Sequence, residues 1–310
     1  MANPAVPALR GLPFGPEAGM TLMVVAVLLI PINDTLSKLL TQYFQPVEIA
    51  FWRTAFQSGA LLIAARLFRL RLRDGLFSPV LALGGVLIAT ALICLISAFT
   101  VMPIATAISI FFVEPLILTV LSALLLGEKT GWRRYLAVAV GLLGAVIVIR
   151  PSWASFGVYS VLPLGAALAF ACNMILLRRV ARSRSGLAIQ CGMSFYGCLA
   201  VGTGLVAASA LDLFNWSAPA APAHVWPLFA AMGLLSSVTF LLIAEAFRRV
   251  EASTLAPFQY LEIIGATLLG YLVFGEFPDS LTWLGTAVIL SSGGYVFYRE
   301  RQIKRRARAS

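Results

Sequence analysis

Ten apolar stretches of roughly 20 residues, joined by short links, leave this chain few folds to adopt. They lie near residues 18–40, 47–67, 78–99, 103–126, 132–149, 158–178, 187–210, 225–247, 252–274 and 281–298. As a helix, each is long enough to cross about 30 Å of hydrocarbon. Lipid offers backbone amides no partner, so a spanning segment must be helical or belong to a closed barrel. Barrel strands alternate strictly between apolar and polar residues, and these runs do not. Only 12% of residues are charged, against about 25% in soluble domains, and mean hydropathy is +0.92. The expected fold class is an all-α polytopic membrane protein of ten transmembrane helices.

The chain also repeats itself. Residues 97–128, SAFTVMPIATAISIFFVEPLILTVLSALLLGE, align without a gap on residues 245–276, EAFRRVEASTLAPFQYLEIIGATLLGYLVFGE. Nine of 32 positions are identical, among them Phe99/Phe247, Glu114/Glu262, Thr119/Thr267 and Gly127-Glu128/Gly275-Glu276. Shared leucines are cheap in apolar sequence; paired glutamates and a shared Gly-Glu ending are not. A fainter echo at an offset of 140 sets Asn33 over Asn173 and Lys38 over Arg178. Each half then holds five spans, an odd number, so the two halves are expected to run through the membrane in opposite senses.

Basic residues give the orientation. All but three of the 23 cluster at the termini and on alternate links; Lys38 and Arg150 lie on the other side and Arg53 within a span. Both termini are therefore expected in the cytoplasm. The charges follow the inverted sense of the repeat: KTGWRR follows the first Gly-Glu and FPDS the second. The expected division is a cytoplasmic tail over 1–17, a first repeat over 18–149, an inverted second repeat over 158–298 and a basic cytoplasmic tail over 299–310.

Several function classes drop out. The net charge of +10 is spread over links instead of one soluble face, which argues against nucleic acid. Membrane lipids are the expected surroundings, and the tail RERQIKRRARAS suits anionic headgroups. Cys94, Cys172, Cys191 and Cys198 lie in apolar runs without metal or redox spacing. The single histidine, His224, sits in a Pro/Ala-rich link, so a membrane enzyme lacks the residues it needs. No cofactor or metal is expected. There is no GxxxxGK[ST] phosphate loop, which leaves facilitated or gradient-driven transport. Inverted repeats place a substrate between the halves, near the membrane midplane. A channel is the alternative that these features leave open.

Ten spans in a five-plus-five inverted repeat, with Gly127-Glu128 and Gly275-Glu276 closing the fourth and ninth, plus Asn33 and Arg53, carry a resemblance. The chain resembles the drug/metabolite transporter superfamily, in particular EamA-type bacterial exporters, over about residues 18–298. The resemblance implies export of amino acids or related metabolites across the bacterial inner membrane by alternating access. Aromatic amino acid exporters are the nearest comparison, with a monomer as the expected assembly. A sugar-phosphate or nucleotide-sugar antiporter of the same superfamily is the alternative. Such anions call for several basic residues inside the spans, and apart from Arg53 and the interfacial Lys38 there are none, which favours a neutral, zwitterionic or cationic cargo with apolar side chains.

Ionisable groups inside a membrane are costly and mark function by default. Glu114 and Glu262 lead because the repeat relates them. Two roles fit: binding a substrate ammonium or a coupling proton, or accepting hydrogen bonds that fix helix packing. Asn33 and Asn173 suit either zwitterion recognition or interhelical bonding. The candidate substrate-binding set is Asn33, Phe99, Glu114, Asn173, Phe258, Tyr260 and Glu262. Trp52, Phe111, Phe170, Tyr196 and Phe247 extend the aromatic wall. Pro31, Pro115, Pro163 and Pro257 are candidate bends. Two local ion pairs are expected from helical spacing, Asp34 with Lys38 and Glu245 with Arg248 or Arg249. Glu128 and Glu276 read as structural.

Overall fold

The computed structural model describes residues 16–67, 78–126, 132–180, 186–250, 255 and 258–309. Gly127, Glu128, Pro257 and most of the N-terminal tail lie outside them. The described chain is helical: α1 (Pro16–Leu40), α2 (Pro46–Leu67), α3 (Pro79–Phe99), α4 (Ile104–Phe111), α5 (Glu114–Leu126), α6 (Trp132–Phe156), α7 (Leu162–Val180), α8 (Gly186–Ala210), α9 (Trp226–Arg249), α10 (Leu261–Phe274) and α11 (Ser280–Ala309). Short 3-10 turns occupy Gly157–Val161, Ala218–Ala220 and Ala223–Val225. The ten expected spans are present, the fourth divided between α4 and α5. The last helix continues to Ala309, through the segment expected to be a separate tail.

Proline sets several starts. Pro16, Pro46 and Pro79 each open a helix, where a missing N–H has no partner to lose. At the other end, Gly275 takes φ 70° and its N–H donates to Tyr271 O at 2.9 Å. Glu276 N–H donates to Gly270 O at 3.1 Å, completing a left-handed cap on α10. This accounts for the Gly of the second Gly-Glu; the first lies outside the described residues.

The surface is turned inside out relative to a soluble protein. Leu124, Leu143, Val206, Leu234, Ile264 and Leu272 are exposed, while Asn33, Asp34, Ser37, Gln57, Asn173 and Glu262 are buried. Among the described residues six stretches are long and apolar enough to cross a membrane. α2, with Glu48, Arg53 and Gln57, is less so.

Packing repeats with the sequence. α3 lies against α7 and α8, and α9 against α1 and α2. These are the same contacts made by equivalent helices of the two halves. α6 and α11 form the longest seam. A Cβ on Gly144 would lie 2.9 Å from Gly285 O, and one on Gly285 would lie 2.6 Å from Gly144 O. Close backbone approach of this kind drives helix association in lipid. Two further crossings are related by the repeat. A Cβ on Gly85 would meet Met193 O and come within 2.7 Å of Gly197 N. One on Gly233 would come within 2.7 Å of Gln57 N. Gly233 follows Gly85 by 148 residues, and Gly197 follows Gln57 by 140, the two offsets of the repeat.

Gly85→Val and Gly233→Val should each lower the thermal stability of the detergent-purified protein by about 1–3 kcal/mol. Gly59→Ala, where nothing lies within 4 Å, should leave it unchanged or raise it by up to about 1 kcal/mol. Fluorescence-detected size-exclusion after heating measures all three; equal melting of the valine variants and wild type would refute the close-approach account.

Candidate functional site

Breaks in helices position the site. Pro115 has no N–H, and its ring clashes with the carbonyl four residues back, so a regular helix cannot run through it. Phe112 N–H still reaches Ile108 O, but Val113 N–H bonds to Ile110 O in a tighter turn, and α5 starts afresh at Glu114. In the second half α10 begins at Leu261, with Tyr260 as its N-cap residue. The repeated glutamates thus occupy the same local position, the first turn of the second half-helix. A carboxylate there meets the positive end of the helix dipole.

The two glutamates have different company. Glu262 is buried and within electrostatic reach of Asp34 on α1. Glu114 is within reach of the Tyr260 hydroxyl. The Tyr260 ring packs on Phe112 at 5.6 Å, and its hydroxyl lies over Gly293, where a Cβ would come within 2.5 Å.

Around Glu262 the structure assembles a polar cluster from α1, α2 and α9. Asn33 Nδ2 donates to Ser236 Oγ at 2.8 Å. Arg53 Nη1 donates to Ser37 Oγ at 3.3 Å. Asp34 interacts electrostatically with Arg53. Three atoms here are buried without a hydrogen-bond partner: Asn33 Oδ1, Asp34 Oδ2 and Arg53 Nε. Such groups cost about 1–3 kcal/mol each when left unsatisfied, more when charged. Arg53, which has no basic counterpart in the second half, belongs to the centre of this cluster.

Lys38 overturns one expectation. Its partner is not Asp34, four residues away, but Glu276, 238 residues away. Lys38 Nζ lies 2.7 and 2.6 Å from the two carboxylate oxygens, donates to Met102 O at 2.9 Å and sits 5.0 Å from the centre of the Phe274 ring. One ammonium thus ties the end of α1 to the α3–α4 link and to the cap of α10. Glu245 pairs locally as expected, accepting from Arg249 Nε at 2.8 Å.

The remaining candidates scatter. Asn173 is buried, with its Oδ1 3.0 Å from where a Gly84 Cβ would lie, between α3 and α7 and away from its repeat mate Asn33. Phe99 is wholly buried in the largest apolar cluster, with Met102, Ile108 and Val113. Phe258 packs against the small apolar cluster of Met23, Val27, Ala246 and Leu255. His224 is exposed and meets the edge of Tyr43 at 5.8 Å. Among the described residues no group of His, Cys, Asp and Glu could hold a metal ion. A groove of about 570 Å³ along the α6–α11 seam, lined by Trp132, Leu136, Val140, Val288 and Tyr295, contains none of the candidate residues.

Sequence reasoning missed Glu48. It is fully buried, and its Oε1 accepts from Ser217 N at 2.9 Å and Ala218 N at 3.4 Å, pinning the α8–α9 link to α2. An acidic residue two positions into a span was its signal.

The model of the EamA-like transporter family matches residues 17–150 and 157–297. The chain belongs to this family. It is a multi-pass membrane transporter of the drug/metabolite type, and the expected resemblance is borne out. It is 26% identical over 284 residues to the S-adenosylmethionine uptake transporter of Rickettsia prowazekii, covering 92% of this chain and 94% of that one. Identity to a pseudopaline exporter of Pseudomonas aeruginosa is 30% over 278 residues, covering 88% and 94%. A riboflavin transporter of Vibrio cholerae is 31% identical over 206 residues, 66% of each chain. A solved crystal structure superposes with a TM-score of 0.61 at 18% identity, covering 90% of this chain and 94% of that one, which establishes a shared fold.

Lys38→Ala should destabilise the protein by about 1–3 kcal/mol, between the worth of a surface pair and that of a buried one. The swap Lys38→Glu with Glu276→Lys should recover part of this, since Met102 O loses its donor. Thermal melts of the two single variants and the double variant test the pair; a double variant no better than the sum of the singles would refute it.

Proposed function

We propose that this transporter exports amino acids and amino-acid-bearing metabolites across a bacterial inner membrane, with both termini in the cytoplasm. It works by alternating access between the two halves, without ATP. One observation carries the reading: a cluster of buried Asn33, Asp34 and Glu262 with the half-buried Arg53, which offers both signs of charge beside a broken helix. Charge of both signs suits a zwitterion; a sugar-phosphate or nucleotide-sugar cargo calls for an excess of cations. Glu114 of the first half and Tyr260 of the second form another polar group, and Phe258 an apolar wall. Phe99 and Asn173 enter as residues that hold helices in register, since each is buried against its neighbours.

The relatives carry different cargoes, and one of these, S-adenosylmethionine, has an amino-acid group. S-adenosylmethionine is itself an α-amino acid with an added sulfonium charge. It defines a second reading, uptake of a cationic amino acid derivative, which is favoured by the two neighbouring carboxylates, Asp34 and Glu262, against the one guanidinium beside Asp34.

Proteoliposomes loaded with labelled L-phenylalanine, S-adenosylmethionine or riboflavin separate these readings by counterflow. Saturable exchange of phenylalanine is the expected result. Exchange of S-adenosylmethionine alone selects the second reading, and ohmic currents without saturation would replace a carrier by a channel. Glu262→Gln should slow exchange about tenfold or more through loss of a charge-assisted contact. Full activity in both Glu262→Gln and Glu114→Gln would remove the glutamates from the pathway.

A further inference from the structure

Asp34 and Arg53 are opposite charges inside a membrane protein, near enough to feel each other, yet not joined. Among the described residues no nitrogen–oxygen pair between them comes within 4.0 Å. Burying two separated charges costs several kcal/mol per ion, and direct pairing is the ordinary way to recover it. Here the protein forgoes that recovery. Arg53 is held back by Ser37, which accepts from Nη1 at 3.3 Å and itself donates to Asn33 O at 2.8 Å, so the hydroxyl is fixed in place on α1. Arg53 Nε points to no acceptor. Asp34, 6% exposed, leaves Oδ2 without a donor, and the adjoining Asn33, 2% exposed, leaves Oδ1 without one after its amide nitrogen is spent on Ser236.

The unsatisfied atoms fall into two sets, donors on α2 and acceptors on α1. Lys38, the nearest alternative cation on α1, is committed to Glu276 and cannot serve Asp34. The other acidic group facing Asp34 is Glu262 of α10, which adds to the demand for a cation on that side. A group that bridges the two sets must carry a cationic donor at one end and an anionic acceptor at the other. The α-ammonium and α-carboxylate of an amino acid supply both on one carbon.

We propose that Asp34 and Arg53 are the two poles of the substrate site: the cargo ammonium lies against Asp34 and Asn33 Oδ1, and the cargo carboxylate against the Arg53 guanidinium. This rests on the amino-acid reading above and assigns it to residues outside the repeat-derived set. Ser37 is a positioning residue that keeps the guanidinium from collapsing onto Asp34. Specificity for the side chain is left to other walls, so different amino acid derivatives share one pair of anchors.

The full-length protein in nanodiscs, with binding followed by competition against labelled L-phenylalanine, tests the assignment. Three matched probes are used: L-phenylalanine, its methyl ester, which lacks the carboxylate charge, and 3-phenylpropionate, which lacks the ammonium. Wild type should prefer phenylalanine over each by about tenfold or more, the worth of one charge-assisted contact. Arg53→Gln should abolish the preference over the ester while retaining the preference over 3-phenylpropionate. Asp34→Asn should do the reverse. Ser37→Ala should weaken phenylalanine binding without equalising the probes. Variants that simply misfold lose all three probes together and elute as aggregates, and Arg53→Lys, which retains the charge, then has to restore the preference over the ester for the assignment to stand. A wild type that prefers phenylalanine while both polar variants retain both preferences overturns the assignment and leaves the amino-acid reading intact. A wild type that ignores phenylalanine but binds riboflavin or S-adenosylmethionine overturns the amino-acid export reading; in the S-adenosylmethionine case the same two variants decide whether the poles hold.

Discussion

In hydrocarbon a backbone amide must find its partner within the protein, and every other feature of this chain is built under that constraint. It makes the spans helical, and it makes any interruption of a helix a feature to be sheltered. The tight turn over Phe112 and Val113 is sheltered in the bundle, with Val113 fully buried, and it delivers Glu114 to the start of a new helix. Tyr260 and Leu261 do the same for Glu262 in the other half. Breaks near the middle of a span, each followed by an acid, are the local device from which the site is made.

Charges inside the bundle are handled in two distinct ways. Lys38 is fully engaged, with a carboxylate, a carbonyl and an aromatic face around one ammonium. It fastens one end of the bundle. Asp34 and Arg53, one turn of α1 away and on the neighbouring helix, are held short of each other. A finished ion pair serves stability, whereas an unfinished one retains binding capacity for something else. On the proposed assignment the same few residues of α1 carry both a fastener and a site, separated by a single helical turn.

Much of this was legible in the sequence because it is local or repeated. The apolar runs specify helices, Gly275 the left-handed cap, Glu245 its partner four residues on, and the 148-residue offset the equivalence of Glu114 and Glu262. What stayed hidden depends on distant pairing. Helical spacing makes Asp34 a neighbour for Lys38, but nothing in α1 shows that Glu276 will arrive from 238 residues away and win with two short contacts. Glu48 was hidden for the same reason, its partners being backbone amides of a remote link. One signal was within reach: carrying the 148 offset back past Ser97 aligns Gly85 with Gly233 and Pro79 with Pro227. Gln57 and Gly197 differ in identity, so their equivalent contacts appear only in three dimensions.

The two offsets carry a consequence of their own. Between the second and third helix of each half the offset grows from 140 to 148, so the second half has eight additional residues between equivalent positions of these helices, part of them in its α8–α9 link. That link is held by Glu48, packs Val225 and Trp226 against Leu40 and Phe44, and covers the end of the bundle that Lys38 fastens. A carrier made of two identical inverted halves would have equal energies facing either way. If the halves alternate as proposed, an insertion that weights one end makes the resting balance between the two facings a property of the longer half. Shortening that link is therefore a way to move the balance without touching the residues that meet the cargo.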